Sequence, residues 1–251
     1  MNVQFGALII GDEILSGRRQ DKHFPQLVAQ LKARGLRLAW ARYVADDRPA
    51  LIAALRESFG TNQVVMSFGG IGATPDDHTR QAAAAALGVP LVLHPKAEAE
   101  IRARFNNQVT PHRLAMGTFP EGADIIPNPY NRIPGFAVKQ HFFMPGFPEM
   151  AWPMLEWVLD THFKHLHFKA DFTEAAIMVW EASEGQLVDL MEQVTLQYPQ
   201  VDIFSLPILR TEKSRAAIEL GAKGPAEQVS LAMNAFREGI RARGIAWDEA
   251  R

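Results

Sequence analysis

The chain has 251 residues, with 26 Lys or Arg against 28 Asp or Glu, so its net charge of −2 points to no polyanion partner and no nucleic-acid role is expected. Its residues are 47% hydrophobic, yet no apolar run approaches the roughly 20 residues of a membrane span, and the start carries no charged-then-apolar leader pattern; a cytoplasmic protein without membrane contact is the expectation. The absence of cysteine excludes disulfides, thiolate metal sites and cysteine nucleophiles.

Residues 3–10 read as a buried strand ending at Gly11, and residues 21–34 as a helix with Phe24, Leu27, Val28 and Leu31 on one face, Pro25 falling in the first turn and Gly35 stopping it. Residues 36–44 form a second strand, 49–59 a second helix and 64–68 a third strand. Strand, helix, strand, helix, strand predicts a mostly parallel sheet covered by helices, which binds ligands at the C-terminal ends of its strands. Asp12 and Glu13, directly after Gly11, are candidate metal or ribose-hydroxyl ligands there, and Ser16 lies in the same loop. Arg18 and Arg19 read more simply as a solvated charge cluster.

The third strand runs into Gly69-Gly70-Ile71-Gly72-Ala73-Thr74-Pro75-Asp76-Asp77-His78-Thr79 and then an alanine-rich helix. Glycines at a strand end admit positive φ and let a ligand approach the main chain, and the helix start suits a phosphate oxygen. Two carboxylates beside a phosphate repel it unless a divalent cation bridges them, so Asp76 and Asp77 point to metal-assisted phosphate chemistry. The simpler reading makes one of them only the N-cap of the next helix. The run has no P-loop lysine, and Gly70-Ile71-Gly72 lacks the third glycine of a dinucleotide fingerprint.

A short strand over 91–93 and a helix over 95–105 follow, then a proline-rich, loop-like stretch over 106–135 that could rim the ligand cleft. A strand over 141–144 ends in Pro145-Gly146, offering a third glycine turn to the same edge before a helix over 149–163. His162, His165 and His167 match no metal-site spacing and read as a solvated junction. Beyond it the pattern changes to strand (175–180), helix (185–198), strand (201–206), strand (215–220) and helix (225–243), a small α+β domain. Gly221-Ala222-Lys223-Gly224 superficially matches an RNA-clamping GXXG loop, but residues 168–251 carry 9 Lys or Arg against 13 Asp or Glu, so it reads as a turn without that role.

Taken together, Gly11-Asp12-Glu13-Ile14-Leu15-Ser16-Gly17, the Gly69–Thr79 run, Pro120-Glu121-Gly122-Ala123, Ile133-Pro134-Gly135-Phe136 and Pro145-Gly146-Phe147-Pro148-Glu149-Met150 resemble the N-terminal part of the competence/damage-inducible protein A (CinA) family, within the molybdopterin-binding superfamily. The resemblance implies an α/β three-layer sandwich over residues 1–167 and a small α+β, KH-like domain over 168–251. It implies a metal-dependent nucleotide pyrophosphatase hydrolysing ADP-ribose to AMP and ribose 5-phosphate. Its alternatives are a molybdopterin- or nucleotide-binding protein without hydrolysis, or a non-enzymatic assembly module. Ligand and metal roles transfer to Asp12, Gly69, Gly70, Gly72, Thr74, Asp76 and Asp77, with Asp76 and Asp77 catalytic and Asp12, Asp76 and Asp77 binding the metal (Mg²⁺, Mn²⁺ or Co²⁺); Glu13, Ser16, Thr79, Pro145 and Gly146 join them as candidate ligand contacts. A homo-oligomer is expected. The chain departs from the family pattern at Asp21-Lys22-His23 (usually Asp-Thr-Asn), Ile71-Gly72-Ala73-Thr74 (Leu-Gly-Pro-Thr), Gly146-Phe147-Pro148 (Gly-Val-Pro) and Tyr130-Asn131-Arg132-Ile133-Pro134-Gly135 (a Gly-Thr-Ala-Pro-Gly-like run).

Overall fold

All six residues of β1 (Phe5–Ile10) are buried, and alternate side chains serve opposite faces: Phe5, Ala7 and Ile9 join one apolar cluster, Leu8 and Ile10 another. A strand buried on both faces needs helices above and below it. The computed structural model describes residues 3–169, 171–211 and 214–250. It divides into two compact units, Met1–Phe168 and Lys169–Arg251.

In the first unit β1 is followed by α1 (Asp12–Leu15), α2 (His23–Lys32), β2 (Leu38–Val44), α3 (Arg48–Phe59), β3 (Val64–Phe68), α4 (Thr79–Leu87), β4 (Leu91–Leu93) and α5 (Pro95–Phe105). Then come α6 (Pro111–Ala115), β5 (Thr118–Pro120), β6 (Asp124–Ile126), β7 (Gly135–Val138), β8 (His141–Met144) and α7 (Pro148–His162). The six-stranded sheet runs β2-β1-β3-β8-β7-β6. The pairings β1 with β2, β1 with β3 and β3 with β8 are parallel; β7 and β6 complete the sheet antiparallel. Leu27 and Leu31 of α2 and Met154, Leu155 and Val158 of α7 cover one face, and Leu51 and Leu55 of α3, Ala82 and Ala83 of α4 and Ala97 of α5 the other. The expected three-layer α/β arrangement with a mostly parallel sheet is therefore present.

Two details of this unit differ from the sequence reading. Phe24 and Val28 are exposed, because α2 turns His23, Leu27 and Leu31 inward. The loop-rich stretch over 106–135 also carries a 3-10 turn (Asn106–Gln108), α6, β5 and β6, in elements too short for a periodicity reading to catch.

At the sheet's opposite end His141 is fully buried. It donates Nδ1–H to the Lys139 carbonyl (2.8 Å), which leaves Nε2 to accept from the Ser58 hydroxyl (2.8 Å). Burial pulls its pKa down to about 4.

The second unit comprises β9 (Thr173–Trp180), α8 (Val188–Gln197), β10 (Asp202–Ile208), β11 (Ala217–Gly224), α9 (Ala226–Ala242) and β12 (Trp247–Glu249). Its antiparallel sheet runs β10-β11-β9-β12, with Ile177, Val179, Leu220, Val229, Met233 and Phe236 in its core. Gly221, Ala222, Lys223 and Gly224 are not a turn. They lie within β11, where each pairs with both β10 and β9 or, for Gly224, with β9 alone. A clamping loop between two helices is thereby ruled out for these four residues. Among the described residues no helix is long and apolar enough to cross a membrane.

Candidate functional site

Four chain segments meet where the parallel strands end. Gly11 donates its N–H to Val44 at the end of β2 (3.2 Å), and Gly69 donates to Met144 at the end of β8 (3.0 Å). Gly69 (φ 106°) packs so tightly on β1 that a Cβ there would stand 2.2 Å from the Ile10 carbonyl oxygen. At Gly70 (φ 67°) a Cβ would stand 2.2 Å from Thr79 Oγ1. Only glycine fits this turn. The turn after β8 closes the set, with the Cβ direction of Gly146 leading to within 3.5 Å of the Gly69 Cα.

Asp12 lies in the loop after β1, at the head of α1, and joins the loop after β2 through a reciprocal pair. Its N–H donates to Asp46 Oδ2 (3.0 Å), and the N–H of Asp46 donates to Asp12 Oδ1 (3.1 Å). Asp46 Oδ1 also stands 3.5 Å from the Cβ direction of Gly70. Burial is the main reason its pKa is raised, and the charges of Asp12, Glu13 and Asp76 push the same way against the relief from the Asp12 N–H. Asp46 is the functional candidate that the sequence reading missed. The only signal was its position just past β2, at a strand end of the same kind as Gly11 and Gly69.

Asp76 and Asp77 have different surroundings. Asp77 turns inward, accepting the backbone N–H of Thr74 (2.8 Å) and the Thr74 hydroxyl, while its own N–H donates back to the Thr74 carbonyl (3.0 Å). Its Oδ2 also fills the space beside Gly72, 2.5 Å from the Cβ direction. Asp76 is exposed; the nearby Thr74 hydroxyl first, then its own backbone N–H and His78, hold its carboxyl below the usual range. Neither aspartate caps α4. Its N-cap is His78, with no side-chain bond, because Thr74 to Asp77 closes a turn of its own and Gly70 takes the N–H of Thr79 (3.0 Å).

Thr79 is fully buried and donates its hydroxyl to the Gly69 carbonyl (3.1 Å), so it positions the turn from beneath. Ser16 is exposed at the C-terminal end of α1, where its N–H donates to the Asp12 carbonyl (2.8 Å), and Pro145 begins the turn after β8. Glu13 folds its carboxylate back toward Gly11, to 3.0 Å from the Cβ direction. The structure thus gathers Asp12, Glu13, Asp46, Asp76, Gly69, Gly70 and Gly146 at one edge, while Asp77, Thr74 and Thr79 shape the turn. Among the described residues no group of three or more His, Asp or Glu side chains is arranged to hold a metal ion, the histidines over 162–167 included.

Two buried side chains brace this edge. His23 stacks on Phe68 (centroids 4.6 Å, 14°) and donates Nε2–H to the Gly146 carbonyl (3.1 Å), burial lowering its pKa. Arg80, 4% exposed, donates to the carbonyls of Gly72 (2.5 Å) and Ala115 and to Thr118 Oγ1 (3.0 Å), tying the glycine loop to α6 and β5.

Residues 6–165, with this edge inside them, match the family described as "Probable molybdopterin binding domain". The chain belongs to this family. Among its relatives is a CinA-like protein of Anaeromyxobacter dehalogenans (strain 2CP-C), 38% identical over 165 residues, which are 62% of this chain and 40% of that protein. A CinA-like protein of Geobacter sp. (strain M21) is 31% identical over 198 residues, 76% of this chain and 47% of that protein. The chain spans less than half the length of these curated relatives. The crystal structure of CinA from Thermoplasma acidophilum, described as having unknown function, superposes with a TM-score of 0.57 at 29% identity, covering 63% of this chain and 97% of that one. Family membership therefore rests on the first unit, and the molybdopterin-binding fold and its CinA-like relatives agree with the motifs at the strand ends.

Proposed function

We propose that the strand-end edge binds the phosphate groups of a nucleotide or pterin together with a divalent cation, and that it hydrolyses a nucleotide pyrophosphate of the ADP-ribose kind. The observation that carries this reading is the reciprocal Asp12–Asp46 pair beside the Gly70 turn, where burial first, and then the charges of Asp12, Glu13 and Asp76, raise the pKa of Asp46. Uncompensated like charge of this density favours a cation, and carboxylate oxygens suit a hard ion such as Mg²⁺ or Mn²⁺. Because the described side chains form no three-carboxylate cluster, Asp12 and Asp46 would hold it together with the ligand's phosphate oxygens and water, with Asp76 nearby. Such an ion neutralises the pyrophosphate and makes water a better nucleophile at neutral pH.

The protein's own part is positional. Gly69 and Gly70 let the turn pack directly on β1 and Thr79; Thr79 and Arg80 hold their loop, and His23 holds the Gly146 turn against it. Binding of a pterin or nucleotide without turnover is the second reading. It is favoured by the inward turn of Asp77, which leaves fewer carboxylates free than the sequence suggests.

Purified protein incubated with ADP-ribose, with EDTA or with Mg²⁺, Mn²⁺ or Co²⁺, tests the choice. Metal-dependent release of AMP and ribose 5-phosphate, lost in Asp46→Asn and Asp76→Ala, supports hydrolysis. Saturable nucleotide or molybdopterin binding without products supports the second reading, and neither binding nor turnover overturns both.

A further inference from the structure

The end of α5, the 3-10 turn after it and α6 border an open surface concavity of about 440 Å³ that none of the strand-edge residues lines. Its walls are Arg104, Phe105, Asn106, Asn107, Gln108 and Arg113: two guanidinium groups, three carboxamides, one ring and no acidic side chain.

We propose that this concavity is a second ligand site, for a phosphoryl-bearing small molecule, independent of the function proposed above. Arg104 makes no ion pair among the described residues. Its natural partner one helical turn earlier is Glu100, but Glu100 is taken by Arg132 from the loop after β6 (2.8 Å). Arg102, on the same helix, is satisfied by Glu98 (2.7 Å). The positive charge of Arg104 is thus left over in the wall of the concavity.

Arg113 is held in place for binding. Its guanidinium lies 4.1 Å over the Phe105 ring, and one of its Nη groups donates to the Gln108 carbonyl (2.5 Å). Stacking and one fixed hydrogen bond restrain its long side chain, so further N–H donors meet a ligand with less ordering cost. Two forked guanidinium groups match phosphate oxygens, and the amides of Asn106, Asn107 and Gln108 add neutral donors.

A plainer role for Arg104 is to complement the C-terminal dipole of α5. That accounts for its place in the last turn, but not for the Arg113 stack or the all-amide remainder of the wall. The chemistry selected is an anion with several oxygens, and a carboxylate-lined ligand edge elsewhere in the unit makes the contrast testable.

Inorganic pyrophosphate is the probe, titrated calorimetrically into the full chain with EDTA present. Without a cation the carboxylates of the strand edge repel it, so binding reports the arginine pocket. We expect saturable binding that weakens about tenfold or more in Arg104→Glu and in Arg113→Gln, and survives in Asp76→Ala. Arg104→Lys should retain part of it, and each variant's melting temperature checks its folding. No saturable binding, an unchanged affinity in Arg104→Glu, or an affinity that rises in Asp76→Ala overturns the proposal; the last would put pyrophosphate at the strand edge, where removing a carboxylate relieves repulsion.

Discussion

Asp12 and Asp46 hold each other by their backbones, each N–H donating to the other's carboxylate at 3.0 and 3.1 Å, so the loops after β1 and β2 are locked with both charges on the same side. Each carboxylate receives one fixed donor and keeps other lone pairs for a ligand. Replacing Asp46 by Asn retains an oxygen acceptor for the Asp12 N–H and removes the charge. Divalent-ion affinity, measured by calorimetry, should fall by at least about tenfold, with little change in melting temperature. An unchanged affinity would take Asp46 out of the cation site.

The glycine turn is predicted to tolerate no side chain. Gly69→Ala places a Cβ against the Ile10 carbonyl in a backbone conformation that costs L residues about 1–2 kcal/mol before any clash is counted, so urea unfolding should show a loss of about 2 kcal/mol or more. Thr79→Val removes only the hydroxyl bond to Gly69 and should cost about 1 kcal/mol.

Arg80 should matter more than its place in an alanine-rich helix suggests. Arg80→Met leaves the Gly72 carbonyl without its guanidinium donor and the Ala115 carbonyl with the Thr118 hydroxyl alone, a loss of about 2 kcal/mol by chemical denaturation. Hydrogen exchange should then rise over the glycine loop and over residues 115–118 together. A rise confined to one of them would mean that Arg80 does not couple the two segments.

His141 makes stability pH-dependent. Its ring titrates near 6.5 when unfolded and at about 4 when buried, so above pH 6.5 it is neutral in both states and its contribution is complete. As pH falls from 6.5 to 4 the unfolded chain takes the proton first and stability declines, by at most about 3 kcal/mol. In His141→Gln the unfolding free energy should be flatter across that window; an unchanged slope would assign the acid sensitivity to other groups.

Residue order alone carried the layered α/β fold of the first unit, because fully apolar strands such as Phe5–Ile10 and Val64–Phe68 alternate with amphipathic helices, and a strand buried on both faces has few other solutions. It carried the location of the candidate edge too, since glycine and carboxylate after a buried strand mark a ligand-facing turn wherever the strands are parallel. Only the tertiary structure decided which carboxylates share that edge. Asp46 belongs to it through a partner 34 positions away, Asp77 leaves it for Thr74, and Arg80 reaches from α4 to α6. Local pattern sees the spacing of charges along the chain, whereas hydrogen-bond partners and burial, which set each carboxylate's charge and direction, arise from segments that meet only after the sheet has formed.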